Sequence, residues 1–83
     1  MLTFGQALQA LKDRKKVARA GWNGKGMWLL LINPGDYTVN GSVINDTHVE
    51  QMSPWIGMRT ADAKFVPWLA SQTDVLAEDW QIA

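Results

Sequence analysis

The sequence predicts an α+β domain: an N-terminal helix packed on a small antiparallel β-sheet, with a short C-terminal helical turn. Three observations carry this. Residues 3–13 place apolar side chains at helical spacing behind a capping motif. An Asn-Gly pair separates the apolar runs 16–22 and 27–32, and two further β-rich runs flank a polar turn at residues 61–63.

Taken in order, Thr3 and Gln6 form a capping box, in which the threonine hydroxyl accepts from the backbone three residues on while the glutamine reaches back. Phe4, Ala7, Leu8 and Leu11 then line one helical face, and Gln9, Lys12 and Asp13 the other. Lys12, Arg14, Lys15 and Lys16 crowd the helix's end, where positive charge opposes the dipole's negative pole. Residues 16–22 read as a strand, Asn23-Gly24-Lys25-Gly26 as a turn and Met27–Ile32 as a second strand, closed by Asn33-Pro34-Gly35-Asp36. The stretch 37–53 is either a small hairpin around Asn40-Gly41 or a surface excursion. Trp55–Thr60 and Lys64–Trp68 read as paired strands, and Pro67, which lacks a ladder donor, belongs at a strand end or sheet edge. Ser71-Gln72-Thr73-Asp74 supplies capping side chains before Val75-Leu76-Ala77, and Trp80-Gln81-Ile82 is a last short strand.

With 83 residues the chain is one domain, and roughly 60% of its extended surface is buried on folding, which leaves a thin core. Zero cysteines exclude disulfides, zinc ribbons and thiol nucleophiles and fit a reducing cytosol. The longest apolar run, Met27–Ile32, is far short of a bilayer span, and no signal peptide is expected, so a cytoplasmic protein without membrane contact is the expectation. Net charge is zero but polarised: residues 1–27 hold six of eight cations and one anion, residues 28–83 two cations and seven anions. Such a chain pulls weakly on a polyanion, so extended nucleic-acid binding is disfavoured, while opposite patches can pair within or between copies.

Catalysis finds no candidate set. His48 is the single histidine and lies in a polar stretch, Ser42, Ser53 and Ser71 lack a nucleophile motif, and Asp36/Asp46 or Glu78/Asp79 have no reason to converge. No cofactor and no metal are expected. Five tryptophans, Trp22, Trp28, Trp55, Trp68 and Trp80, go far toward filling a small core, yet an indole face also stacks on a base. Gly21-Trp22-Asn23-Gly24-Lys25-Gly26 is either an ordinary hairpin turn or a backbone cradle for phosphate with a stacking face beside it; its spacing is not that of a P-loop. Pro67–Asp74 is either a helix cap alone or a hydrogen-bonding set for a hydroxyl-rich ligand.

As a set these motifs are recognisable. Residues 4–29, FGQALQALKDRKKVARAGWNGKGMWL, and 54–82, PWIGMRTADAKFVPWLASQTDVLAEDWQI, resemble a small phage and prophage domain family first catalogued as a domain of unknown function. That family includes the second described type of Thoeris anti-defence protein. The resemblance covers both ends of the chain in three ordered motifs, and residues 33–53 carry none. Ala63 stands in the TADAK turn where many relatives are expected to have glycine.

The resemblance implies a single sequestering domain over residues 1–83. It holds a cyclic ADP-ribose-type immune signal, and in some relatives cyclic dinucleotides, between the protomers of a homotetramer without degrading it. Mapped onto this chain, Trp22 is the base-stacking face, with Asn23 and the Gly24 and Gly26 amides near ribose or phosphate. Lys25 and Arg59 neutralise charge, while Trp68, Gln72, Thr73 and Asp74 complete the pocket, Thr73 or Asp74 meeting ribose hydroxyls or the adenine edge. The alternative is a small nucleic-acid- or protein-binding accessory module built on Arg14, Lys15, Lys16 and Arg19. A signal-degrading enzyme is the third reading, and the missing acid/base pair argues against it.

Overall fold

A computed structural model describes residues 1–22, 26–33, 38–39, 42–43 and 53–83. Helix α1 spans Phe4–Lys12 behind Thr3, and both arms of the expected capping box are present: the Gln6 amide donates to Thr3 Oγ1 at 3.3 Å and the Thr3 amide to Gln6 Oε1 at 2.9 Å. Its end is a Schellman motif. The Lys15 amide donates to the Ala10 carbonyl and the Arg14 amide to that of Leu11, both at 3.0 Å, which requires Arg14 to sit at φ 68°, a place usually given to glycine.

Strands β1 (Val17–Arg19), β2 (Trp28–Ile32), β5 (Trp55–Arg59), β6 (Phe65–Pro67) and β7 (Trp80–Ile82) form one antiparallel sheet in the order β6-β5-β2-β1-β7. Strands β3 (Thr38–Val39) and β4 (Ser42–Val43) pair antiparallel as a separate two-stranded sheet, and most of the stretch read as a hairpin or a surface excursion lies outside the described residues. Helix α2 covers Gln72–Leu76 with Ser71 as its cap. Pro67 ends an edge strand, where its missing N–H costs no ladder bond.

Strand β1 is shorter than its apolar run. Beyond Arg19, the Trp22 amide turns back to the Arg19 carbonyl at 3.2 Å and the Gly21 amide is taken by the Asp79 side chain, so the ladder to β2 cannot continue. The last strand settles beside β1, with Val17 opposite Ile82 and Arg19 opposite Trp80, and Leu2 bridges Trp80 from the other side.

Alternation along the strands divides the sheet. On one side Ala7, Ala10 and Leu11 of α1 pack on Val17, Leu29 and Trp80, with Leu31, Ile56 and Met58 partly buried around them. On the other side Phe65 lies between Trp28 and Trp55, its ring 6.1 and 6.0 Å from theirs, and Lys16 Nζ stands 4.3 Å from the Trp28 ring. Gly57 permits this arrangement, since a Cβ there would run into the Phe65 ring. In the β5–β6 turn, the Thr60 hydroxyl accepts from the Lys64 amide at 3.1 Å and lies against the Asp62 carboxylate, with Ala63 at φ 65°.

Candidate functional site

Trp80 is the post around which several predicted site residues gather. Its side chain is completely buried, and its Nε1 donates to the Asp74 carbonyl at 3.0 Å. Trp22 meets it edge-on at 5.4 Å between centroids and Trp68 at 6.1 Å, while Phe4 contacts both Trp80 and Trp68. Trp22 and Trp68 are each half-buried, so two braced indoles retain open surface. Trp68 is held in line by its amide, which donates to the Ile56 carbonyl at 2.9 Å and extends the ladder past Pro67.

The next segment turns into α2 at Ser71. The Asp74 amide donates to Ser71 Oγ at 3.1 Å and Ser71 Oγ donates to Asp74 Oδ2 at 2.9 Å, a reciprocal pair that fixes the first turn. Gln72 and Thr73 are exposed on that turn. Asp74 itself faces inward, where Arg19 Nη1 reaches its Oδ1 at 2.8 Å.

Arg19 is shared. Its Nε donates to Asp79 Oδ1 at 2.8 Å, and the other oxygen of Asp79 accepts from the Gly21 amide at 2.9 Å. The polarised charge of the sequence is thus resolved in part within the chain, a cation of the first third held by two anions of the last. Burial pushes the Asp74 carboxyl upward, but hydrogen bonds from Arg19 and Ser71, with a further contribution from Trp22, hold it below the ordinary value. Asp79 is lowered chiefly by its hydrogen bond to Arg19, against a desolvation effect and with help from the Gly21 amide. Arg19 is raised by Asp79 first and Asp74 second. Both carboxylates are therefore ionised at neutral pH, where each accepts hydrogen bonds but serves poorly as a general acid or base.

The far end of the glycine-rich segment is anchored separately. Gly26 adopts φ 79°, and its carbonyl accepts from Arg59 Nη1 at 2.7 Å; the same nitrogen lies 3.4 Å from the Thr60 carbonyl. The structure thus joins Trp22, Trp68 and Asp74 around Trp80, sets Gln72 and Thr73 beside them, and binds Arg59 to the backbone at Gly26. Asn23, Gly24 and Lys25 lie outside the described residues, as does His48.

The sequence presents Arg19 only as part of a basic cluster and Asp79 only as a neighbour of Glu78, and it does not mark the hub role of Trp80. Arg19 carried a signal: a lone cation inside the strand Val17–Arg19 needs a partner from elsewhere, and the anions of the chain are concentrated after residue 28. Among the described residues, no group of three or more His, Cys, Asp or Glu is placed to hold a metal ion, and no helix is long and apolar enough to cross a membrane.

Residues 2–83 match the family model of the Tad2-like, Thoeris anti-defense 2-like domain. The chain is also similar to a protein of Bacillus phage SP01 described as "Thoeris anti-defense 2", with 43% identity over 86 aligned positions that cover 98% of this chain and 93% of the phage protein. With a family model that spans nearly its whole length and a relative this similar, the chain belongs to the Thoeris anti-defense 2-like domain family.

Proposed function

We propose that this chain is a phage anti-defence protein that counters Thoeris immunity by binding a cyclic ADP-ribose-type signal in the host cytoplasm and holding it unaltered, so that the defence effector is not activated. The observation that carries this reading is the pair of half-buried indoles, Trp22 and Trp68, braced on buried Trp80 beside an ionised Asp74. Indole faces stack on a nucleobase, and a carboxylate takes hydroxyl or amine donors such as a ribose diol. Arg19 with Asp74 and Asp79 carries one surplus negative charge, so in this reading the phosphates sit away from this cluster. Family membership supports the anti-Thoeris role, and the proposal extends to cyclic dinucleotides as further ligands.

In this reading residues 1–83 act as one sequestering domain and the pocket is closed by further copies in a homotetramer. The segment that carries Gln72–Asp74 also leaves Leu69 91%, Leu76 76% and Val75 41% exposed, a concentration of apolar surface suited to burial between protomers. Arg19 is engaged by two carboxylates, which removes it from the basic cluster that the nucleic-acid reading needs.

Incubation with cyclic ADP-ribose and its ring-linkage isomers tests the proposal. Free ligand should fall in proportion to the number of sites and no further, and heating should return the same molecule, still able to activate the effector. Depletion beyond site stoichiometry, or a cleaved product, refutes sequestration. Light scattering that finds a monomer at micromolar concentration refutes the assembly.

A further inference from the structure

One guanidinium touches both segments that make up the candidate site. Arg19 leaves the end of β1 and donates through Nε to Asp79 and through Nη1 to Asp74, each at 2.8 Å. From Asp79 the chain of bonds runs to the Gly21 amide, the residue before Trp22. From Asp74 it runs to Ser71, the cap of α2, and through the Asp74 carbonyl to Trp80, on which Trp22 leans. The backbone repeats the connection, since the Ala20 amide donates to the Asp79 carbonyl at 3.0 Å and the Trp22 amide to the Arg19 carbonyl.

We propose that Arg19 is a positioning residue of this site: through Asp79 and Asp74 it fixes the Gly21–Trp22 end of the glycine-rich turn and the start of α2 in one relative geometry, without itself touching the ligand. The ligand half of this statement rests on the binding function proposed above; the positioning half does not. Three features support it. Arg19 directs two separate nitrogens at two separate carboxylates, a planar fork that a lysine ammonium on its flexible stem cannot reproduce. Its side chain is only 18% exposed, with those of Asp74 and Asp79 at 16% and 28%, so the cluster is screened less than a surface pair. Finally, a Cβ at position 21 would stand 2.9 Å from Asp79 Oδ2, so a side chain there would have to displace the Asp79 carboxylate from its present place. The clamp and the Gly21–Trp22 backbone are therefore in close contact.

The test compares the full-length wild type with Arg19→Lys, Arg19→Gln and Asp79→Asn by amide exchange, by the Trp22 indole resonance and by calorimetry with cyclic ADP-ribose and its ring-linkage isomers. In folded Arg19→Gln the Gly21 amide should exchange about tenfold faster or more, the loss expected for a charge-assisted bond network, while the Leu29 amide follows global stability alone. The Trp22 indole resonance should shift, affinity should fall by about the same factor, and Arg19→Lys should not restore either. Asp79→Asn, which keeps the shape and weakens one arm, should give the Gly21 effect even if Arg19→Gln does not fold. Gly21 exchange and a Trp22 signal identical to wild type in folded variants overturn the proposal. So does a loss of affinity with both signals unchanged, which would put Arg19 on the ligand itself. If wild type binds none of these nucleotides the proposed function fails, and the exchange and resonance measurements still decide whether Arg19 positions the two segments.

Discussion

On the helix side of the sheet, Trp80 has no exposed surface and touches Phe4, Trp22 and Trp68. On the opposite side, Phe65 sits between Trp28 and Trp55 and keeps 44% of its surface open. The two groups use the same residue types, and what separates them is the layer above. Helix α1 seals the first group, whereas the second carries the Lys16 ammonium over Trp28. In so small a domain a single sealed indole can serve as the centre of the core, and its aromatic neighbours then keep rigid, partly open faces.

The sharpest way to break this comparison is to remove the ring at the sealed centre. Trp80→Ala should cost about 3–5 kcal/mol, enough to abolish folding in a domain of this size. Urea denaturation checks this, and a stable, cooperative Trp80→Ala variant would mean that the core lies elsewhere.

Trp22→Ala should leave the protein folded but less stable, because the ring leans on Trp80, and should weaken nucleotide binding by about 1–3 kcal/mol. Thermal melting beside calorimetry separates the two effects, and unchanged affinity in a folded variant removes Trp22 from the site. On the other face Gly57→Ala should displace the Phe65 ring and cost about 1–3 kcal/mol, read as a lower urea midpoint together with a changed near-ultraviolet dichroism.

A smaller change of opposite sign is expected at Ala63. With φ 65° the position is strained for any side chain, and Ala63→Gly should raise stability by about 1 kcal/mol. A melting temperature that stays level or falls would show that the turn relaxes around alanine.

The effect of pH is the smallest near neutrality. Asp74 and Asp79 both have folded values below the ordinary 3.8, so their contribution is fully present above that value and is lost as pH falls through the depressed ones. Unfolding midpoints should therefore not change with pH on account of these groups between pH 7 and about 5 and should fall below about pH 4. Arg19→Gln should flatten that acid limb. An equally steep limb in the variant would assign it to other carboxylates.

Much of the fold was legible because it is written locally. The Thr3–Gln6 capping box, the apolar stripe of α1, the 61–63 turn, the Pro67 edge and the Ser71 cap each depend on residues a few positions apart. The candidate site was legible in its parts, since glycines around a lysine and Ser-Gln-Thr-Asp before a helix have local meanings. Its assembly was not. Nothing near Trp80 distinguishes it from the other four tryptophans, and its burial follows from β7 lying beside β1, a pairing that no turn specifies. Arg19 was likewise read with its sequence neighbours as part of a basic run, whereas its partners stand 55 and 60 residues away.

Leu2 and Trp80 exchange two backbone hydrogen bonds, at 2.7 and 3.1 Å. In the order of events during folding, these contacts belong at the end. Helix α1 and the β5–β6 hairpin close over short loops and can form early, whereas bringing residue 2 to residue 80, or 19 to 79, fixes nearly the whole described chain at once. On loop-closure grounds, Trp80 is expected to dock, and Trp22 and α2 to be brought to one another, in the final cooperative step. A partly folded molecule then has no fraction of the candidate site: each copy gains the site complete or lacks it, and under the proposed function the amount of ligand held would follow the number of fully folded chains.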